Sequence, residues 1–286
     1  MKKVLVTGSN GQLGKCLRNI AKQNNNLYFV FLTREELDIQ SEEDVSECLR
    51  KNSFSYCINT AAYTNVESAE ENKEKAFSIN AEAVKNLAKS CRNNNVTLIH
   101  ISTDYVFDGM KGKSYLEDDE VNPINVYGAS KLLGEKYVQE NCPRYYIVRT
   151  SWLYSQYGKN FFTTLQNFLK EEKSLKITTE QTGTPTNAND LAKALITIIS
   201  KDTEQYGIYH YANFGEATWF DFAKAIAENG LTFKKNLVER TDHYPTKAKR
   251  PEFSVLDSGK FEKVFSEKIM DWKESLIHLV SDKTLN

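Results

Sequence analysis

Tyr127 and Lys131 stand four residues apart in the run Tyr127-Gly128-Ala129-Ser130-Lys131, which continues with helical character through Val138. On a helix, residues four apart share one face. An ammonium held beside a phenol favours the phenolate and lowers the tyrosine pKa. Tyr127 is therefore a candidate proton donor near neutral pH. Upstream, residues 96–101 are apolar and β-branched, as a buried strand requires, and they end at Ser102-Thr103-Asp104. Thr103 at that strand end is placed to hydrogen-bond a substrate oxygen. Taken alone, a tyrosine and a lysine at this spacing are more often a solvated helix face, so the elements that would position them decide the matter.

The chain starts with a short apolar strand, residues 3–7, that runs into Gly8-Ser9-Asn10-Gly11-Gln12-Leu13-Gly14. Leu13, Leu17, Ile20 and Ala21 then follow at helical spacing. Strand, glycine loop and helix are the context that a dinucleotide fingerprint needs. Gly8 permits the tight turn, Gly11 lets a pyrophosphate approach backbone at the helix N-terminus, and Gly14 allows helix and strand to pack closely. A second strand, residues 28–32, leads to Thr33-Arg34. An acid there would hold a ribose 2′-hydroxyl. Arg34 stands in its place and suits a 2′-phosphate, with a solvated surface arginine the equal alternative. Asp38 and Ile39 are placed to border an adenine.

Residues 41–50 read as a helix capped by Ser41. Residues 56–60 are another buried strand, left through Ala61-Ala62-Tyr63-Thr64, where small residues let backbone meet a bulky ligand. Residues 67–74 are acidic and read as solvated, residues 80–91 as a helix, and residues 145–150 as a further strand. Strands and helices alternate at βαβ spacing up to this point, which argues a doubly wound parallel sheet of the Rossmann kind. The rhythm changes near residue 152. The expected division is an NAD(P)-binding domain over 1–151 and a smaller mixed α/β substrate domain mainly over 152–286, part of 176–200 returning to the first.

The 286 residues carry a formal charge of −1, with acids and bases interspersed. No basic stripe points to nucleic acid, and no apolar run approaches membrane-spanning length or a signal peptide. Cys16, Cys48, Cys57, Cys91 and Cys142 form no Cys-x-x-Cys pair and read as reduced thiols of a cytoplasmic protein. The four histidines have no metal-ligand spacing.

These motifs resemble those of the extended short-chain dehydrogenase/reductases and, within them, the dTDP-4-dehydrorhamnose reductase family. The resemblance rests on Thr7-Gly8-x-x-Gly11-Gln12-Leu13-Gly14, the run Asn59 through Thr64, and Thr103 through Gly109. It extends to Tyr127-x-x-x-Lys131, Arg149 through Tyr154, Gly158-x-Asn160-Phe161, Gln181 through Thr186, and Arg250-Pro251. It implies NADPH or NADH as cofactor, with Gln12, Leu13, Ala62, Tyr63 and Thr64 added to the dinucleotide contacts. It implies hydride transfer to the C4 ketone of dTDP-4-dehydro-6-deoxy-L-mannose, giving dTDP-L-rhamnose for cell-surface polysaccharide. Tyr127 would give the proton, Lys131 would lower its pKa and hold the nicotinamide ribose, and Thr103 would polarise the carbonyl. Asp104 and Trp152 would contact the sugar, and Asn160, Phe161 and Arg250 the nucleotide. A Mg2+ ion and a homodimer are left open. Two alternatives share most of these motifs: a sugar-nucleotide epimerase or dehydratase, and a non-catalytic regulatory subunit of a methionine adenosyltransferase.

Overall fold

Six strands pair in parallel in the computed structural model, which describes residues 1–22, 24, 26–229 and 237–281. They are β1 (Lys2–Thr7), β2 (Leu27–Phe31), β3 (Tyr56–Asn59), β4 (Thr97–Thr103), β5 (Tyr145–Thr150) and the strand Gly207–His210. Their order across the sheet is Gly207–His210, β5, β4, β3, β1, β2. Val4, Leu5 and Val6 are all 0 % exposed. A strand can be apolar at every position only when both faces of its sheet are covered. One face carries α1 (Gln12–Ala21), α8 (Ala188–Lys201) and α10 (Gly259–Phe265), packed on Val4, Val6, Ile58, Ile99 and Val148. The other carries α2 (Glu42–Asn52), α5 (Ala83–Asn93) and α6 (Val126–Asn141), packed on Leu5, Cys57, Leu98 and Ile147.

The chain runs from β1 outward to β2 and then crosses to β3 on the other side. The carboxyl ends of β1 and β3 thus flank a topological switch point, where open α/β sheets bind ligands. A separate core holds α7 (Phe161–Lys170), α9 (Trp219–Asn229) and α11 (Trp272–Ser281) around Tyr154, Phe222 and Trp272. Three segments beyond residue 152 join the sheet layers: α8 lies against α1, α10 packs on the same face, and Gly207–His210 pairs with β5 at the edge.

Two local readings differ from the structure. Residues 80–91 are not one uniform helix. A π-helical turn, Ser78–Glu82, joins α4 (Lys73–Phe77) to α5. Gly134 of α6 packs so close that a Cβ there would lie 2.1 Å from the Asn80 carbonyl oxygen. The Asn80 side chain meanwhile accepts from Tyr63 N (2.8 Å) and donates to Tyr63 O (3.0 Å) and Ser130 Oγ (3.0 Å). Such bulges frequently mark functional sites. The acidic run is not simply solvated either. Its first half forms α3 (Val66–Glu71), where Glu70 accepts from Val126 N at the start of α6 (2.8 Å). Glu67 accepts from Lys247 N (2.7 Å) and Arg250 Nη2 (2.7 Å). α3 therefore ties the start of α6 to the 247–250 segment.

Candidate active site

The switch point opens into a cleft of about 720 Å³ that runs from the glycine loop, past the ends of β3 and β4, to Trp152 and Phe161. Gly8 has φ +63°, and a Cβ there would lie 2.7 Å from Ala61 N, so the turn and the close approach both require glycine. A Cβ on Gly14 would meet the Ser9 backbone at 2.6 Å, the expected tight packing. Gly11 is different: an added Cβ meets only the Gly8 carbonyl, at 3.2 Å. It borders the cleft at the N-terminus of α1, whose first turn has no side-chain cap and no acid. Free N–H groups and the helix dipole there suit a diphosphate. Gly11→Val should therefore fold and yet bind NADH and NADPH about tenfold or more weaker, a loss of at least about 1.4 kcal/mol. Unchanged affinity in a fluorescence titration would reduce the loop to a plain turn.

Gln12, Leu13, Arg34, Asp38, Ile39, Ala62 and Thr64 also line the cleft. Arg34 sits at its rim, donating through Nε to Asp38 Oδ2 (3.1 Å) and through Nη2 to Gln40 Oε1 (3.4 Å). Tyr63 lies outside the lining, its backbone taken up by Asn80.

Thr103, Asp104, Tyr127 and Lys131 meet where β4 ends against the first turns of α6. Asn125 caps that helix, accepting from Gly128 N (2.7 Å). Lys131 is 2 % exposed, and burial pushes its pKa down to about 8 against the pull of the Glu135 carboxylate. Its Nζ donates to the Ile101 carbonyl (2.6 Å) and lies 3.4 Å from His100 Nε2. Tyr127 departs from expectation. Desolvation raises its pKa above that of a free phenol, a hydrogen bond from Thr103 offsets part of this, and Lys131 is not among the groups that shift it. The lysine is turned to the Ile101 carbonyl, so the phenol holds its proton firmly at neutral pH. His100 was not anticipated. It is 0 % exposed and kept neutral by burial and by Lys131, and Asn59 Nδ2 lies 3.2 Å from its Nδ1. Within an apolar strand its only mark was its residue type.

Trp152 follows β5 with φ +43°, rare for a side chain of its size. Its indole stacks on Trp219, with ring centroids 3.7 Å apart and planes 4° from parallel. Trp219 is a second residue the sequence did not single out. It and Phe161 also line an adjoining cavity of about 480 Å³, which holds Gln181, Tyr244 and Arg250. Two expected nucleotide contacts have other partners. The Asn160 side chain accepts from Thr163 N (3.1 Å) and donates to Ser155 O (2.9 Å) and Tyr157 O (3.1 Å), capping α7. Arg250 lies outside the main cleft, its guanidinium donating to Glu67 Oε1 (2.7 Å) and Tyr105 Oη (3.2 Å). Among the described residues no cluster of three or more His, Cys, Asp or Glu is arranged to hold a metal ion, so Mg2+ gains no support. No described helix is long and apolar enough to cross a membrane.

A glycine loop at the switch point of a doubly wound sheet, with a Tyr-x-x-x-Lys helix beside β4, defines a protein of the short-chain dehydrogenase/reductase class. The chain matches the RmlD substrate binding domain family over residues 1–285 and belongs to it. It is 37 % identical to a dTDP-4-dehydrorhamnose reductase of Aggregatibacter actinomycetemcomitans, over 96 % of this chain and 97 % of that one. Among solved structures, the Bacillus anthracis dTDP-4-dehydrorhamnose reductase in complex with NADP superimposes with a TM-score of 0.92 at 36 % identity, covering 98 % of this chain and 99 % of that one. The Clostridium acetobutylicum reductase gives 0.90 at 37 %, covering 97 % and 98 %.

Proposed function

We propose that this protein reduces the C4 ketone of dTDP-4-dehydro-6-deoxy-L-mannose to dTDP-L-rhamnose with NADPH or NADH. The observation that carries this reading is the convergence of Thr103, Tyr127 and Lys131 in the cleft that begins at the glycine loop. The loop fits a dinucleotide: a cradle of backbone without side chains, at a helix N-terminus, beside Asp38 and Ile39. When bound there, the nicotinamide supplies a hydride to the carbonyl carbon. Tyr127 donates its proton to the carbonyl oxygen, and its raised pKa keeps it protonated for that step. Thr103 donates a hydrogen bond to the same oxygen as charge develops. Lys131 keeps an N–H for the cofactor's ribose while Ile101 anchors it. Trp152, backed by Trp219, walls the sugar, and the adjoining cavity beside Phe161 is the place for the nucleotide. Asn160 and Arg250 act there by holding the walls. The test is NADPH absorbance followed with the enzymatically generated dTDP-4-keto-L-sugar. Consumption in step with substrate is expected, and none at all would overturn the reading.

Arg34 bears on cofactor choice. A guanidinium at the cleft rim can make two charge-assisted bonds to a 2′-phosphate. Arg34→Ala should weaken NADPH by roughly 1–3 kcal/mol and leave NADH nearly unchanged. Equal losses for both cofactors would assign Arg34 to packing with Asp38, and a wild type that strongly prefers NADH would remove the phosphate role.

A further inference from the structure

Thr103 has one hydroxyl proton and several claimants for it. Its Oγ1 accepts from Tyr105 N at 3.2 Å and lies 3.0 Å from Asp104 Oδ1. It also reaches Tyr127, whose pKa it draws down. A hydroxyl rotor turns to suit its partners, so the state of the Asp104 carboxyl decides which of the two donates. An ionised carboxylate only accepts, and it would take the Thr103 proton for itself. A neutral carboxyl group donates to Oγ1 and leaves the Thr103 proton free to point elsewhere.

The surroundings favour the neutral form. Asp104 is 2 % exposed, and its Oδ2 has no close hydrogen-bond partner among the described residues. A full negative charge is costly to hold at so buried a carboxyl. The groups facing it are Tyr127 of α6, Tyr105 on the same turn, and the Ser254 hydroxyl. The Arg250 guanidinium lies beyond Tyr105 and is paired with Glu67. Burial carries its pKa up to about 7 against the opposing hydrogen bonds of Ser254, Thr103 and the backbone N–H groups of Asp104 and Tyr105.

We propose that Asp104 is a positioning residue that works as a neutral acid: its carboxyl donates to Thr103 Oγ1 and so turns the Thr103 proton toward the carbonyl oxygen being reduced. This rests on the reductase reading above and adds a protonation state to it. Neutral Asp104 is the active form, so kcat should be full at low pH and fall as the pH rises through about 7, ahead of the loss of the Lys131 ammonium at about 8.

Asp104→Asn supplies an amide donor that cannot ionise. It should lower kcat by no more than about tenfold near pH 6 and move the alkaline fall up by about one unit, from about 7 to the Lys131 range of about 8. Thr103→Val should lower kcat by about 10²–10³, the usual effect of losing such a donor. In that background Asp104→Asn should shift the pH profile no further, because the pH-dependent effect of Asp104 runs through Thr103. An unmoved limb in Asp104→Asn, or an equal shift in both backgrounds, overturns the proposal. A readout independent of turnover is carbon NMR of protein labelled at the aspartate carboxyls. One carboxyl should keep its proton near pH 6 and be missing from Asp104→Asn, and a fully ionised set would be decisive against it. Failure of the reductase reading looks different: the wild type would consume no NADPH, while the carboxyl signal would still report on Asp104.

Discussion

Tyr127→Phe should lower kcat by about two to four orders of magnitude, the range for losing a positioned general acid. The ring stays, and with it the edge-on contact to Tyr105 at 6.0 Å between centroids. Only the phenolic hydroxyl is lost, and with it the contact to Thr103. Dinucleotide affinity should survive, because the loop at Gly8 and Gly11 and the Lys131 anchor to Ile101 do not depend on that hydroxyl. The outcome is read as a fall in kcat with an unchanged NADPH titration. Desolvation raises the phenol's pKa, so ionisation of Tyr127 should contribute no alkaline limb near neutral pH. Near-normal turnover in the variant would take Tyr127 out of the mechanism.

The parts of the fold legible in the sequence are those specified locally. β1, the glycine loop and α1 follow one another within about twenty residues, and their hydrophobic spacing, glycines and helix period agree. The same holds for Ser41 at the start of α2, whose side chain accepts from Asp44 N. What was not legible depends on partners far along the chain. Glu67 meets Arg250 across 183 residues, so composition alone made α3 a solvated acidic run and left Arg250 free for a nucleotide. His100 and Lys131 are 31 residues apart, and neither sequence neighbourhood names the other. The stacking of Trp152 on Trp219 joins a turn after β5 to the start of α9. The direction of the Tyr127 shift was misjudged for a related reason. Spacing puts a lysine on the same helix face, but it does not reveal the Ile101 carbonyl that holds its ammonium.

Arg149→Met should destabilise the protein by about 3–5 kcal/mol, the cost of leaving a buried charge without its partner. Arg149 on β5 and Glu135 on α6 are each 2 % exposed at their side chains. The guanidinium donates in parallel, Nε to Oε1 at 3.0 Å and Nη2 to Oε2 at 2.8 Å. Ser102 Oγ adds a bond to the same carboxylate at 2.5 Å, one residue before Thr103. With methionine at 149 the buried Glu135 carboxylate keeps one direct hydrogen bond, from that serine, and the attraction of the Lys131 ammonium. Removing both charges should behave differently: Glu135→Leu with Arg149→Met should be more stable than Arg149→Met alone, since the carboxylate is no longer stranded and Lys131 can shed its proton. The pair also serves the cleft. Glu135 is the group that holds the Lys131 ammonium against burial, so its loss should lower the Lys131 pKa below about 8. The double variant should therefore regain part of the lost stability in urea unfolding, and with Asp104→Asn added, so that the alkaline limb is that of Lys131, its kcat should fall at lower pH than in Asp104→Asn alone. A single variant as stable as the wild type would mean that Glu135 finds another partner, and an unmoved alkaline limb in the Asp104→Asn background would separate the ion pair from catalysis.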